Sequence, residues 1–189
     1  MFCAYAKNYS LQTTAAGGVV KIAKLLIDNG ANLNTANGEL NLGSPLQFAV
    51  FNNKPQMVKY LLECGADPEV RSVQGSTPLH SACFCCGLDI VELLLLHGSN
   101  IDAADQNGIT PLAYACSTKR VQTITVLLQA GASMMSYDIR MQPWQPEVVL
   151  MMDQERTRRT AMIFSEWIRL ALTADIPEEL TVTSQRRLL

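Results

Sequence analysis

The chain has 189 residues, enough for one ordinary domain, with 48% hydrophobic and only 17% charged residues. That composition excludes a wholly disordered chain. The net charge is −2, and it is evenly spread: residues 1–137 carry 8 Lys/Arg and 9 Asp/Glu, and residues 138–189 carry 7 and 8. With no basic stripe or patch, neither a nucleic acid nor a membrane surface is an expected partner.

No signal leader of charged then apolar residues begins at Met1. The aliphatic run Leu93–Leu96, flanked by Glu92 and His97, is far too short to span a bilayer. An intracellular protein, cytoplasmic or nuclear, with its six cysteines held reduced, is therefore expected.

In chain order, the first recognisable unit is Tyr9-Ser10-Leu11-Gln12, followed by the apolar run Ile22-Ala23-Lys24-Leu25-Leu26 and Gly30. A clearer version starts at Ser44-Pro45-Leu46-Gln47. Ser44 should cap a helix that ends near Asn53, with Pro45 at its first position, where the missing N–H is no loss. A second helix is expected from about Gln56 to Glu63, stopped by Gly65 in the left-handed conformation. Thr77-Pro78-Leu79-His80 opens the next pair, with helices ending near Gly87 and then running from Leu88 to His97 before Gly98. Thr110-Pro111-Leu112-Ala113 opens the last, with helices ending near Lys119 and then running from Val121 to Gln129 before Gly131. The openings are spaced 77 − 44 = 33 and 110 − 77 = 33 residues apart, and a glycine follows each after 21 residues. Turn-rich segments such as Asp67-Pro68, Gln74-Gly75-Ser76 and Gln106-Asn107-Gly108 separate the pairs.

This pattern resembles the ankyrin repeat over roughly Tyr9 to Ser136. The resemblance implies an all-α solenoid of helix-turn-helix units with hairpin fingers, and a protein–protein binding function as an adaptor or scaffold. Four repeats in residues 1–136 are expected, the first degenerate. The first finger, Asn32–Gly43, is two residues longer than the others (Gly30 to Ser44 is 14, against 12). The fourth repeat carries Lys119 and Thr123 where glycine and an apolar residue are more usual.

Beyond Ser136 the pattern decays. Six of the eight methionines lie between Met134 and Met162, and Pro143-Trp144 loosely echoes Pro-Leu. Arg156–Leu172 reads as an amphipathic helix through Ile163, Phe164, Trp167, Leu170 and Ala171. A stack needs an end that tolerates water, so residues 137–174 are expected to form a degenerate helical cap, and 175–189 a tail. Ile163 to Leu172 followed by Ile176–Leu180 is also weakly similar to a SOCS box. That module would make the chain a ubiquitin-ligase substrate adaptor, but the usual Leu-Cys-Arg start is replaced by Ile163-Phe164-Ser165 and the Leu-Pro-Leu-Pro element is missing. A fragment of a larger enzyme or channel is the other alternative.

Reactive chemistry is thinly represented. Cys83, Cys85 and Cys86 sit at one helix end with no second cysteine pair, and Cys83 falls where neighbouring repeats place Ala49 and Cys116. Packing, not metal binding, is expected. His80 and His97 are the only histidines, and no nucleophile or carboxylate stands at motif spacing from either. No catalytic residue, cofactor or metal site is therefore expected, and the protein is read as a non-enzyme. The resemblance gives His80 a structural hydrogen bond to a neighbouring finger. It also implies that partners meet a concave face made by finger tips and first-helix ends. Carried over by position, these are Asn41, Leu42, Val73, Gln74, Ser76, Gln106, Asn107 and Ile109 in the fingers, and Phe51, Asn52, Phe84, Cys85, Ser117 and Thr118 on the helices. The expected partners are one or more proteins, and the expected state is a monomer.

Overall fold

The computed structural model describes residues 2–35, 43–85, 87–133, 153–159, 161–162 and 165. It divides into two compact units, Met1–Val148 and Val149–Leu189. The described residues of the first unit form eight helices in four successive pairs and no strands. The first helices are α1 (Phe2–Gly17), α3 (Pro45–Phe51), α5 (Pro78–Cys85) and α7 (Pro111–Ser117), and the second helices are α2 (Val20–Asp28), α4 (Pro55–Glu63), α6 (Leu88–Leu96) and α8 (Val121–Gln129). In the second unit residues 153–159, 161–162 and 165 are helical, matching the start of the expected helix. The other residues of the expected cap segment 137–174, all of the tail segment, and the SOCS-like stretch apart from Ser165 lie outside the described residues.

The expected helix boundaries hold to within about two residues, except at the start. Helix α1 runs 16 residues from Phe2, where α3, α5 and α7 have 7 to 8. No proline or glycine interrupts residues 2–16, so nothing stops the helix from extending.

The capping expected at each Ser/Thr-Pro-Leu is realised in full only at Ser44. Its hydroxyl accepts from the Gln47 N–H at 3.3 Å, and the Gln47 Oε1 accepts from the Ser44 N–H at 2.9 Å. At α5 the Thr77 hydroxyl lies 2.9 Å from His80 Nδ1 instead. At α7 Thr110 has the extended backbone of a cap but no side-chain cap bond. The reciprocal half is missing there because Ala113 has no polar side chain.

Each helix pair is apolar on the faces it turns to its neighbours. Leu46, Ala49 and Val50 on α3, Leu79, Ala82 and Cys83 on α5, and Leu112 and Ala115 on α7 are all essentially solvent-free. So are Met57, Val58 and Leu61 on α4, Ile90, Val91 and Leu94 on α6, and Ile124 and Leu127 on α8. Successive first helices pack on one another, as do successive second helices, so each core segment is shared between adjacent repeats. Thr123 is buried at 3% exposure where the preceding repeats have Met57 and Ile90, leaving the fourth repeat with a polar group in an apolar layer.

The turns within the first, second and fourth pairs pass through the left-handed region at Gly18 (φ 76°), Asn53 (φ 53°) and Lys119 (φ 58°). Asparagine tolerates that region; lysine does so at a cost. Replacing Lys119 by glycine is therefore expected to stabilise the fourth repeat by up to ~1 kcal/mol in urea unfolding. Leu94 is completely buried in the centre of the stack. Leu94→Ala is expected to cost ~2–5 kcal/mol in the same assay, and a cost below ~1 kcal/mol would show that the site collapses without a cavity.

Candidate protein-binding face

The fingers are held by hydrogen bonds that repeat along the stack. In the finger between α4 and α5, the Ser72 N–H donates to the Ser76 carbonyl and the Gly75 N–H to Ser72, both at 2.9 Å. In the next finger the Asp105 N–H donates to Ile109 and the Gly108 N–H to Asp105, both at 3.0 Å. The Gln106 N–H then reaches the Gln74 carbonyl at 3.1 Å, so the two fingers stack backbone to backbone. Gly75 permits this approach: its φ is 78°, and a Cβ there would stand 3.0 Å from the Gln106 nitrogen.

One side chain per repeat ties its first helix to the finger that follows. Gln12 Nε2 donates to the carbonyls of Thr35 at 3.1 Å and Gly43 at 3.0 Å. Gln47 Nε2 does the same to Val70 at 3.2 Å and Ser76 at 3.1 Å. In the third repeat His80 takes this place. Its Nε2 lies 2.9 Å from the Ile109 carbonyl, and its Nδ1 accepts from the Thr77 N–H at 3.1 Å. A carbonyl can only accept and a backbone N–H only donates, so His80 is the neutral tautomer carrying its proton on Nε2. Burial holds its pKa below the ordinary 6.5, outweighing the Ile109 carbonyl and the Asp105 carboxylate, which act in the other direction. Ala113 ends the series. The Tyr114 hydroxyl on α7 instead reaches back to the preceding finger, the one His80 also holds, donating to Asp105 Oδ2 at 3.1 Å.

Asp105 was not anticipated as a structural residue. It is 7% exposed, and its Oδ1 accepts from the N–H groups of Asn107 and Ile109 at 2.8 and 2.9 Å. Its available signal is its place two residues before a glycine turn, Asn107-Gly108.

Around this frame the expected face residues fall into two groups. Phe51 is 66% exposed, Val73 58%, Phe84 52% and Ile109 36%. Asn52, Gln74, Gln106, Asn107 and Ser117 are exposed as well. The Phe84 ring stands edge-on to Tyr114 with centroids 6.2 Å apart, and still leaves half its surface open. By contrast Ser76, Cys85 and Thr118 are only half-exposed. The Cys85 thiol donates to the Ser81 carbonyl at 3.0 Å, and the Thr118 hydroxyl lies within 3.3 Å of the Cys83 and Tyr114 carbonyls. Cys85 Sγ lies 3.8 Å from the Phe51 carbonyl, which places the ends of α3 and α5 side by side. Asn41 and Leu42 lie outside the described residues.

No reactive constellation accompanies this face. Cys83 and Cys116 are buried thiols whose pKa values burial drives up, that of Cys116 to about 12, so neither is poised as a thiolate. Cys86 lies outside the described residues. Among the described residues, no group of three or more His, Cys, Asp or Glu is arranged to hold a metal, and no helix is long and apolar enough to cross a membrane.

Stacked helix pairs with projecting fingers define a repeat scaffold, a class of protein that works through its exposed surface. The family model for ankyrin repeats (3 copies) matches residues 4–72 and 46–138, well over half of the chain. The chain therefore belongs to the ankyrin-repeat family, whose repeats mediate protein binding. It is 52% identical to NF-kappa-B inhibitor alpha of Sus scrofa over 40 residues, 21% of this chain and 13% of that protein. It is 35% identical to ankyrin repeat domain-containing protein 40 of Mus musculus over 69 residues, 36% of this chain and 19% of that one. A putative ankyrin repeat protein of Rickettsia felis shares 41% over 75 residues, 40% of this chain and 32% of its own length. The matched segments thus span less than a third of each of these relatives.

The His80 geometry gives a pH prediction. The folded state favours neutral His80, whereas the unfolded chain protonates it near the ordinary 6.5. The stabilisation is fully present above 6.5 and is lost as pH falls through the lower folded-state value. His80→Gln reproduces the side chain that serves this role in the two preceding repeats. It is expected to keep stability near neutral pH and to flatten its decline as pH falls below 6.5, as measured by urea unfolding across a pH series.

Proposed function

We propose that the chain is an adaptor or scaffold that binds a partner protein across the face built from the finger tips and the first-helix ends. The observation that carries this reading is the pair Phe51 and Phe84, set 33 residues apart at equivalent places and 66% and 52% exposed. An aromatic ring left largely in water on two successive repeats is a cost that scaffold packing does not require, and aromatic anchors dominate interface energies. Val73 and Ile109 add apolar surface in the adjacent fingers. The proposed binding residues are Phe51, Asn52, Val73, Gln74, Phe84, Gln106, Asn107, Ile109 and Ser117, flanked by the half-exposed Ser76, Cys85 and Thr118. Asn41 and Leu42 complete the proposed face as carried over by the repeat register. The partner is a protein, and the chain itself is read as non-catalytic.

The test is a comparison of proteins captured in cells by proximity labelling with the wild-type chain and with a Phe51→Ala/Phe84→Ala variant. Each anchor is expected to contribute ~2 kcal/mol or more to binding, so the double variant should lose its specific partners almost completely. Its melting temperature should fall only slightly, through the Phe84–Tyr114 edge contact worth ~0.5–1.5 kcal/mol. An unchanged set of captured proteins, with either outcome for stability, would remove the aromatic pair from the binding surface.

A further inference from the structure

Two departures from the repeat pattern, Lys119 and Thr123, meet at one place in the structure. Lys54, Gly87 and Arg120 are equivalent positions at 33-residue spacing, each at the N-cap of its second helix, and the middle one has no side chain. Met57, Ile90 and Thr123 are equivalent in the same way, and the last is the smallest of the three and the polar one. Gly87 and Thr123 both line a cavity of about 410 Å³ between the third and fourth repeats. The side chain missing at Gly87 and shortened at Thr123 leaves that space unfilled. Its other walls are Leu88 at the start of α6 and Lys119 to Gln122 at the start of α8.

This lining is rich in donors and carries positive charge. Helices α6 and α8 pack on one another and both begin at the cavity. Neither N-cap supplies a side-chain acceptor to the first turn. In α8 the Val121 N–H turns back to the Lys119 carbonyl at 3.1 Å, and the Ile124 N–H bonds the Arg120 carbonyl at 2.9 Å. The N–H groups of Gln122 and Thr123, between them, make no hydrogen bond among the described residues. Nor does the Thr123 hydroxyl, although Thr123 is only 3% exposed. A hydroxyl buried to that degree costs free energy until a partner completes it, and this one lines an open space. Lys119 is exposed and Arg120 half-exposed on the same cavity. No Asp or Glu is among the lining residues; Asp89, in the first turn of α6, is exposed and stands outside the lining.

We propose that this cavity binds a small oxyanion of the phosphate class through the Thr123 hydroxyl, the first-turn N–H groups of α8 and the cations Lys119 and Arg120. The start of a helix favours negative charge, and the two side chains add to that field. A phosphate offers several acceptor oxygens, enough for a hydroxyl, two N–H groups and a cation together, whereas a halide or a carboxylate leaves donors unmet. The cavity volume of about 410 Å³ falls within the ~300–1,000 Å³ of small-molecule sites, so it also has room for the organic part of a phosphate monoester. The same assignment gives a reason for two residues that cost the fourth repeat stability. Lys119 in the left-handed region and Thr123 in an apolar layer each supply a contact to the anion. The site is separate from the Phe51–Phe84 pair, neither of which lines the cavity.

Amide-resolved NMR titrations of the full chain with inorganic phosphate and with glycerol 3-phosphate test this, at constant ionic strength with chloride as the balancing anion. The Gln122 and Thr123 amide signals should shift and saturate. Saturation by either probe supports the site, and the tighter of the two shows whether it holds free phosphate or an ester. Thr123→Val removes the hydroxyl at nearly constant shape and should weaken binding about tenfold or more, the effect of losing a hydrogen bond to a charged group. Its melting temperature should stay level or rise, because an apolar side chain suits that layer. Lys119→Gly should also bind more weakly while gaining stability, so a lost signal in either variant is not a sign of unfolding. A wild-type chain whose Gln122 and Thr123 signals show no saturable shift up to the solubility limit of both probes overturns the proposal. Binding that both variants retain undiminished overturns it as well.

Discussion

No helix pair in this chain can bury its own apolar faces. The constraint that governs everything else is that burial is shared: Leu46 and Leu79 reach zero exposure with a neighbouring pair on each side. Charge contributes little to the stack. Lys59 and Glu63 are 3.9 Å apart with both side chains more than half exposed, a geometry worth almost nothing in water. The consequence is a one-dimensional stability in which damage at one interface is felt mainly by the two repeats that share it.

Apolar burial is not directional, so it does not set the register. Hydrogen bonds between neighbours do. The Asp67 N–H donates to Asn34 Oδ1 at 2.9 Å, Asn100 N–H to Glu69 Oε1 at 2.8 Å and Ser133 N–H to Asp102 Oδ1 at 2.7 Å. The same step recurs at each junction although the first finger is two residues longer, because the donor and acceptor sit at the start of the finger and the extra residues come later. Arg71 spans the next two fingers in the same manner, its Nη1 donating to Gly75 at 2.9 Å and Ala104 at 2.8 Å. Together with Gln12, Gln47 and His80, these bonds satisfy loop carbonyls and N–H groups that irregular backbone would otherwise leave to water.

The fold was legible in the sequence because the period is a backbone property. Proline at the first helical position and glycine past the last one mark both ends of a unit, and three recurrences leave no other register. The fate of individual side chains was less legible, since it depends on residues about 30 positions away. Thr110 has the residue type and the extended backbone of a cap yet makes no side-chain cap bond, and Ala113 has no side chain to return the reciprocal one. Ser76, Cys85 and Thr118 were placed on the face by register, and all three are half-buried, Cys85 and Thr118 meeting carbonyls of their own or the preceding repeat. The tie formed by Gln12, Gln47 and His80 was written in the fourth place of each motif, but only His80 was read that way. Amides in a repeat motif look like solvated surface until their carbonyl partners are known.

This separation of roles bears on what the proposed face can recognise. Asp105, the acidic residue of the third finger, is committed to Tyr114 and to two backbone N–H groups. The largely exposed residues of the face, from Phe51 and Phe84 to Gln106 and Asn107, carry no formal charge. An interface of aromatic, aliphatic and amide groups draws its energy from area removed from water and from short-range hydrogen bonds, not from Coulomb attraction. On the proposed reading, discrimination between partners then rests on shape and on satisfying the exposed amides. A charged side chain buried against Phe51 or Phe84 would lose its water and find no counter-ion, so the uncharged face rejects charged surfaces as effectively as it accepts apolar ones.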